Sequence, residues 1–251
     1  MKTNTDFKAD DKLGLLLVGD PWSGKSTVMM HFPDLWVCDA DRNLGRISKN
    51  FPNKTFYYDY IDVDDNGAPV QQASQWLRLL AITQKAYEDP RVRYLCFDSM
   101  TAIGHILERY VISQGSSSKD LIIGGEKSMT LQLWNPYKDL WLKFITTVRS
   151  GTKPCIFICH QKVDKDELSG TLFLKPMIGG QLADSIGRLY TDVWHCVAVP
   201  GMPTKENPSG VEYTVETVPQ PRMAQLGSSL GLPPKFRFDW KIIAEKLGEK
   251  V

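Results

Sequence analysis

The stretch Gly19-Asp20-Pro21-Trp22-Ser23-Gly24-Lys25-Ser26-Thr27 spaces two glycines by four residues and follows the second with a lysine and two hydroxyls. That spacing is the template of a phosphate-binding loop. Glycines let backbone N–H groups turn inward around phosphate oxygens, Lys25 extends to the β and γ phosphates, and the Ser26 hydroxyl is placed for magnesium. Residues 19–27 together are therefore the candidate nucleotide cradle. The apolar run 13–18 predicts the strand that enters the loop. A helix expected from Ser26 to about Phe32 leaves it, its positive end toward the phosphates, and stops ahead of Pro33.

Such a loop needs a carboxylate at the end of a neighbouring strand. Asp98, after Tyr94-Leu-Cys-Phe97, fits and is expected to hold magnesium through a water. Asp39 and Asp41 close the strand 35–38 and emerge at the same carboxyl edge. One of them is expected to polarise the attacking water, the bland alternative being turn chemistry ahead of Asn43-Leu-Gly45. His160 ends the buried strand 155–159 and reaches the same edge, where it would donate to a γ-phosphate. His31, His105 and His195 show no such convergence and read as structural. Trp22, inside the loop, is either a contact to nucleotide or neighbour or a core anchor; the remaining tryptophans read as packing.

Helical stripes between the strands complete the arrangement: 70–88, 103–111 and 134–148. The segment 114–128 is Ser/Gly-rich and reads as a loop, and 161–180 reads as polar. Residues 192–199 and 211–218 predict a strand pair around the turn-rich 200–210, and Asp239 caps a last helix over 240–247. The fold class is α/β: a mostly parallel central sheet flanked by helices, with a C-terminal antiparallel strand pair. One domain is expected over 1–251, with a core of about 13–222 and a tail and helix over 223–251.

Composition narrows the classes. Thirty basic against 29 acidic residues leave a net charge of +1, so no global field draws the chain to polyanions. Any such partner must meet a local patch. No apolar run reaches the roughly 20 residues that span a bilayer, and the polar start is unlike a secretory signal, so no membrane and a cytoplasmic location are expected. The five cysteines lie in apolar runs and read as buried thiols rather than metal ligands.

The chain resembles RecA-like P-loop ATPases, and within them the phage-encoded Sak group of single-strand annealing recombinases. The resemblance rests on residues 19–27; His31-Phe-Pro33 followed by Leu35-Trp-Val-Cys-Asp-Ala-Asp41; Cys96-Phe-Asp98-Ser99; Ile156-Phe-Ile-Cys-His160; and Gly179-Gly-Gln-Leu-Ala183 leading to Tyr190-Thr-Asp-Val193. It spans about residues 13–222. It implies a RecA-like core that binds ATP and Mg2+ between adjacent subunits, works as a homo-oligomer (filament or ring) in a bacterial host's cytoplasm, and takes single-stranded DNA as ligand, with a single-strand-binding protein as a further partner. The water-activating acid falls on Asp41, one carbon shorter than the family's glutamate, and the sensor position is shared between His160 and Gln161. Two DNA loops fall on 114–128 and 161–180, offering Lys119, Lys127, Lys162, Lys165 and Lys175. Lys205 and Arg222 are the candidate cations that complete a neighbour's site.

Two rivals use the same loop. A small-molecule or nucleotide kinase would carry an Arg-rich lid, and only Arg91 and Arg93 lie close together. A helicase-loader or assembly subunit would use its nucleotide state for protein contacts, without the steep salt slope of phosphate binding.

Overall fold

The computed structural model describes residues 12–115, 122–123, 126–167, 169–203 and 210–249. The chain runs β1 (Gly14–Gly19), α1 (Lys25–Met29), β2 (Leu35–Asp39), α2 (Leu44–Ile47), β3 (Tyr57–Asp59), α3 (Gln72–Glu88), β4 (Tyr94–Asp98) and α4 (Met100–Gln114). There follow β5 (Ile122–Ile123), β6 (Glu126–Lys127), α5 (Trp134–Ser150), β7 (Cys155–Lys165), β8 (Leu172–Pro176), β9 (Asp192–Pro200), β10 (Val211–Glu216), β11 (Lys235–Arg237) and α6 (Trp240–Leu247). Across the main sheet the order is β3-β2-β4-β7-β1-β9-β10-β11, with β8 paired to the distal part of β7. From β3 to β9 every pairing is parallel; β9, β10 and β11 run antiparallel. This is the expected α/β architecture.

The central strands are apolar at successive positions because both their faces are covered. In β1, Leu16 and Val18 pack toward Trp76, Leu107, Trp141 and Phe144 of α3, α4 and α5. Leu15 and Leu17 pack the other way, with Val28 and Met29 of α1 and Ile243 of α6. Phe97 of β4 and Phe157 of β7 stack at 4.7 Å between centroids and tie the two strands that flank the edge described below. Each such fully buried side chain contributes about 1.5–3 kcal/mol. Asp239 caps α6 as expected, accepting from the Lys241 N–H at 2.9 Å.

Three expectations change. The polar segment 161–180 is a β-hairpin rather than a loop: β7 continues past His160 to Lys165 and β8 returns. The turn closes through the Gly170 N–H to the Asp166 carbonyl at 2.8 Å, Gly170 taking a positive φ of 70°. The helix after the phosphate loop is shorter than Ser26–Phe32, ending at Met29 in tight turns that carry the chain into Pro33. The segment after 222 is also more than a tail, because β11 extends the sheet beside β10.

All five cysteines are buried and unbridged. Among the described residues no helix is long and apolar enough to cross a membrane.

Candidate functional site

The parallel register fixes what meets at the carboxyl edge. Gly19 ends β1 opposite His160 of β7, and Asp98 ends β4 opposite Asp39 of β2. The loop from β1 to α1 then folds over that edge. Gly24 holds φ 89°, a conformation that an L side chain strains to adopt. Gly19 has no room for a side chain: a methyl there would lie 2.4 Å from the Cys196 carbonyl and 2.5 Å from Ser23 Oγ. Both glycines of the motif are therefore required sterically.

Lys25 is 5% exposed and reaches back across the loop, donating to the Gly19 carbonyl at 2.9 Å and the Asp20 carbonyl at 2.6 Å. Burial lowers its pKa, opposed by nearby groups that include Asp98. Ser26 Oγ donates to Asp98 Oδ2 at 2.8 Å, joining the loop to β4. Burial pushes the Asp98 carboxyl up to about 7 against the Ser26 hydrogen bond, with the Asp41 and Asp39 charges adding to the rise. The peptide that follows Asp98 is cis.

Asp39 and Asp41 divide the two roles considered for them. Asp39 is 1% exposed and accepts the N–H groups of Asn43 at 3.2 Å and Leu44 at 3.0 Å, so it is the turn-forming residue. Asp41 faces the site, 3.7 Å from His160 Nε2. Burial alone would raise the Asp41 carboxyl; the proximity of His160, Ser99 and Lys25 outweighs it and holds the group below its ordinary value. The backbone N–H of His160 donates to Thr101 Oγ1 at 3.1 Å, and its buried Nδ1 has no hydrogen-bond partner among the described residues. Lys25, Ser26, Asp41, Asp98 and His160 thus converge, as the strand ends imply.

The donor set suits one kind of cation. Among the described residues no three His, Cys, Asp or Glu side chains cluster as a closed ligand set. A hydroxyl paired with a carboxylate beside a phosphate cradle is instead the hard-oxygen, partly protein-supplied environment that magnesium takes with phosphate and water. The residues present fit Mg2+ held by Ser26, with Asp98 behind it.

The remaining candidates are placed as follows. Trp22 is 81% exposed at φ 67°, which rules out the core-anchor reading. Lys162 and Lys165 stand on β7, and Lys165 is exposed. Lys175 is held by Asp164 at 3.0 Å and Asp184 at 2.5 Å, which offset its charge locally. Lys119 and Lys205 lie outside the described residues, as does the side chain of Lys127, whose backbone forms part of β6. Arg222 is exposed in a turn whose carbonyl accepts the Leu174 N–H at 2.6 Å, beside β8 rather than beside its own phosphate loop.

His195, expected to be structural, has a hydrogen-bond partner on each ring nitrogen. It contacts Gln161 Oε1 through Nε2 at 2.8 Å and Glu216 Oε2 through Nδ1 at 3.0 Å, with Lys235 on the same glutamate at 3.0 Å. The signal was available: antiparallel pairing around 201–210 sets His195 opposite Glu216. His31 packs on Phe51, Phe238 and Trp240, and His105 is exposed.

A family model described as an AAA domain matches residues 11–222. Among solved structures, a KaiC-like protein from the hyperthermophilic archaeon Pyrococcus horikoshii OT3 is similar at 13% identity, with 90% of this chain and 85% of that chain covered and a TM-score of 0.42. No curated protein matches. The phosphate loop on β1 and its carboxylate partner on β4 lie within the matched residues: the chain belongs to the AAA domain family, as a P-loop NTPase.

Proposed function

We propose that the chain is a magnesium-dependent ATPase that hydrolyses ATP to ADP and phosphate and acts on single-stranded DNA as a homo-oligomer. The observation that carries the chemistry is the convergence of Lys25, Ser26, Asp98, Asp41 and His160 at one sheet edge. Magnesium bound at Ser26 supplies positive charge that offsets the negative charge developing on the phosphates.

The chain's own residues do the rest. Loop N–H groups and Lys25 hold the phosphates, Lys25 exchanging its carbonyl partners at Gly19 and Asp20 for phosphate oxygens. Asp41, kept ionised, accepts a hydrogen bond from water and orients it toward the γ-phosphorus. The water oxygen bonds to that phosphorus as the bond to the bridging oxygen breaks, and the water's proton leaves through Asp41 to solvent. His160, whose Nε2 lies 3.7 Å from Asp41, is the donor that registers the γ-phosphate.

Support for the nucleic-acid ligand comes from the family resemblance and from placement. The β7–β8 hairpin starts one residue after His160, so a strand lying along Lys162 and Lys165 would act on the edge through continuous backbone. Support for assembly comes from the exposed Trp22 indole, with the Arg46 guanidinium 6.0 Å from its ring, at the lip of the site. A neighbouring subunit would cover that surface.

The test is phosphate release with Mg2+ and ATP, with and without single-stranded oligonucleotide. Wild type should turn over and be stimulated by the oligonucleotide, and Lys25→Ala should lose at least 100-fold. Equal turnover in Lys25→Ala would remove the catalytic assignment. Absence of oligonucleotide binding at every salt concentration would remove the nucleic-acid ligand.

A further inference from the structure

A transverse row of side chains crosses the sheet at the end of β1. Register sets Lys235 of β11 opposite Glu216 of β10, and Glu216 opposite His195 of β9. His195 lies opposite Val18 of β1, which in turn faces Cys159 of β7. Val18, Cys159 and Val193 all belong to the core layer under α3, α4 and α5. Gln161 and His195 follow Cys159 and Val193 by two residues, so they stand on that same face. Strand β1 stops at Gly19, one residue short of Gln161. Its two flanking strands are roughly 10 Å apart, twice the spacing of neighbours. Past its end two side chains span that gap, Gln161 Oε1 lying 2.8 Å from His195 Nε2 at the rim of the phosphate loop.

Donors and acceptors along this row leave one free choice. His195 is 8% exposed, so its protein partners decide its bonding. Burial would raise the Glu216 carboxyl; His195 and Lys235 outweigh it and hold the group below its ordinary value. An ionised carboxylate only accepts, so Glu216 Oε2, 3.0 Å from Nδ1, takes a hydrogen bond from Nδ1–H in either charge state of the ring. Nε2 is the open position. Protonated, it donates to Gln161 Oε1, the arrangement in the structure, and the carboxamide N–H2 is turned away from His195. Bare, it only accepts, and the carboxamide must rotate by half a turn and present its oxygen instead. The other residues in the row add no charge: Val18 on β1, Pro176 opposite Gln161 on β8, and Cys159, whose thiol burial pushes up to about 12.

We propose that His195 is a positioning residue whose Nε2 proton selects which end of the Gln161 carboxamide faces the nucleotide edge; the inference rests on the phosphate loop holding a triphosphate, as proposed above. With the proton in place, the edge is offered an N–H2 group in the residue after His160, a second donor suited to the γ-phosphate. With the proton lost to solvent, it is offered a carbonyl oxygen, which repels the phosphate. Linkage makes the coupling reciprocal: a bound γ-phosphate keeps the N–H2 orientation and thereby keeps the proton on Nε2. Histidine is the side chain that changes charge between pH 5 and 8, so the selection operates in that range. Glu216 and Lys235 stand on the C-terminal antiparallel strands, which therefore hold one end of a contact that acts across β1.

Nuclear magnetic resonance of protein labelled with 15N in its histidine rings reads the proton directly. At about pH 6.5, the ordinary histidine midpoint, Mg2+ is present throughout and ADP is exchanged for the β,γ-imido analogue of ATP. In wild type the exchange should raise the ratio of imidazolium to neutral His195 by about fivefold or more, the lower end of typical couplings between sites. In Gln161→Leu, which keeps the bulk and loses the carboxamide, the two nucleotides should give the same ratio. Gln161→Glu offers oxygen at either end and should hold His195 as the imidazolium with both. An unchanged ratio in wild type overturns the inference. So does a nucleotide-dependent ratio that survives in Gln161→Leu, which would be the plain pull of an added phosphate charge. Both of those outcomes leave the phosphate-loop reading intact, because the nucleotides bind. Failure of wild type to bind either nucleotide overturns both.

Discussion

Replacing Asp98 by Asn should stabilise the nucleotide-free protein in a pH-dependent way. Asp98 is 5% exposed, and burial moves its carboxyl from an ordinary 3.8 to about 7, the nearby Asp41 and Asp39 charges adding to the effect. A carboxyl whose pKa is raised on folding disfavours the folded state once it ionises: wild-type stability falls as pH rises from about 4 to about 7 and is level above that. At 1.36 kcal/mol per pH unit, the penalty relative to a non-titrating side chain is about 2 kcal/mol at pH 5 and about 4 kcal/mol at pH 8. Asn retains an oxygen that can accept the Ser26 hydroxyl now 2.8 Å from Asp98 Oδ2, so the packing and the hydrogen bond to the loop persist. Urea unfolding of both proteins between pH 5 and pH 8, without nucleotide, should show the advantage of Asp98→Asn growing by roughly 2–3 kcal/mol over that interval. Saturating Mg2+ and ATP should oppose it, since ligand at 100 times Kd adds about 2.7 kcal/mol to wild type alone. A difference that does not change with pH, or a variant less stable than wild type at pH 8, would refute the reasoning.

Two further substitutions test the scaffold around the site. Gly19→Ala puts a methyl 2.4 Å from the Cys196 carbonyl, so backbone must move; a loss of about 1–3 kcal/mol in urea unfolding, with at least tenfold weaker nucleotide binding, is expected. Asp192, fully buried, accepts from Ser228 Oγ at 2.7 Å and from the Ser229 N–H and Oγ at 3.0 and 2.7 Å. Asp192→Ala leaves those donors unmatched and should lower unfolding free energy by about 3 kcal/mol, while a change below about 1 kcal/mol would show that water replaces the carboxylate.

The site was legible in the sequence to the extent that strand ends declare themselves. A run such as Tyr94-Leu-Cys-Phe97 has to be buried, and the polar residue after it has to emerge at the carboxyl edge, so Asp98, Asp41 and His160 could be brought together without coordinates. What escaped was set by pairings distant along the chain. The hairpin after His160 alternates only weakly, and its reverse turn depends on Gly170 at φ 70° in a stretch whose polarity suggested a loop. The partners of Lys175, Asp164 and Asp184, become neighbours only after that hairpin folds. Asp39 and Asp41 looked equivalent because they share a strand end; the N–H groups of Asn43 and Leu44 claim one and leave the other to the site.

The eleven residues of β7 have one further consequence. At about 3.3 Å per residue the strand is some 33 Å long, its first half locked between β1 and β4 and its second half projecting with β8. No glycine, proline or bulge interrupts it, and His160 sits where the locked half gives way to the projecting one. Such an element behaves as a stiff lever with its fulcrum at the nucleotide edge. Force applied at the hairpin tip is delivered to the histidine as tilt, with no joint along the way to absorb it.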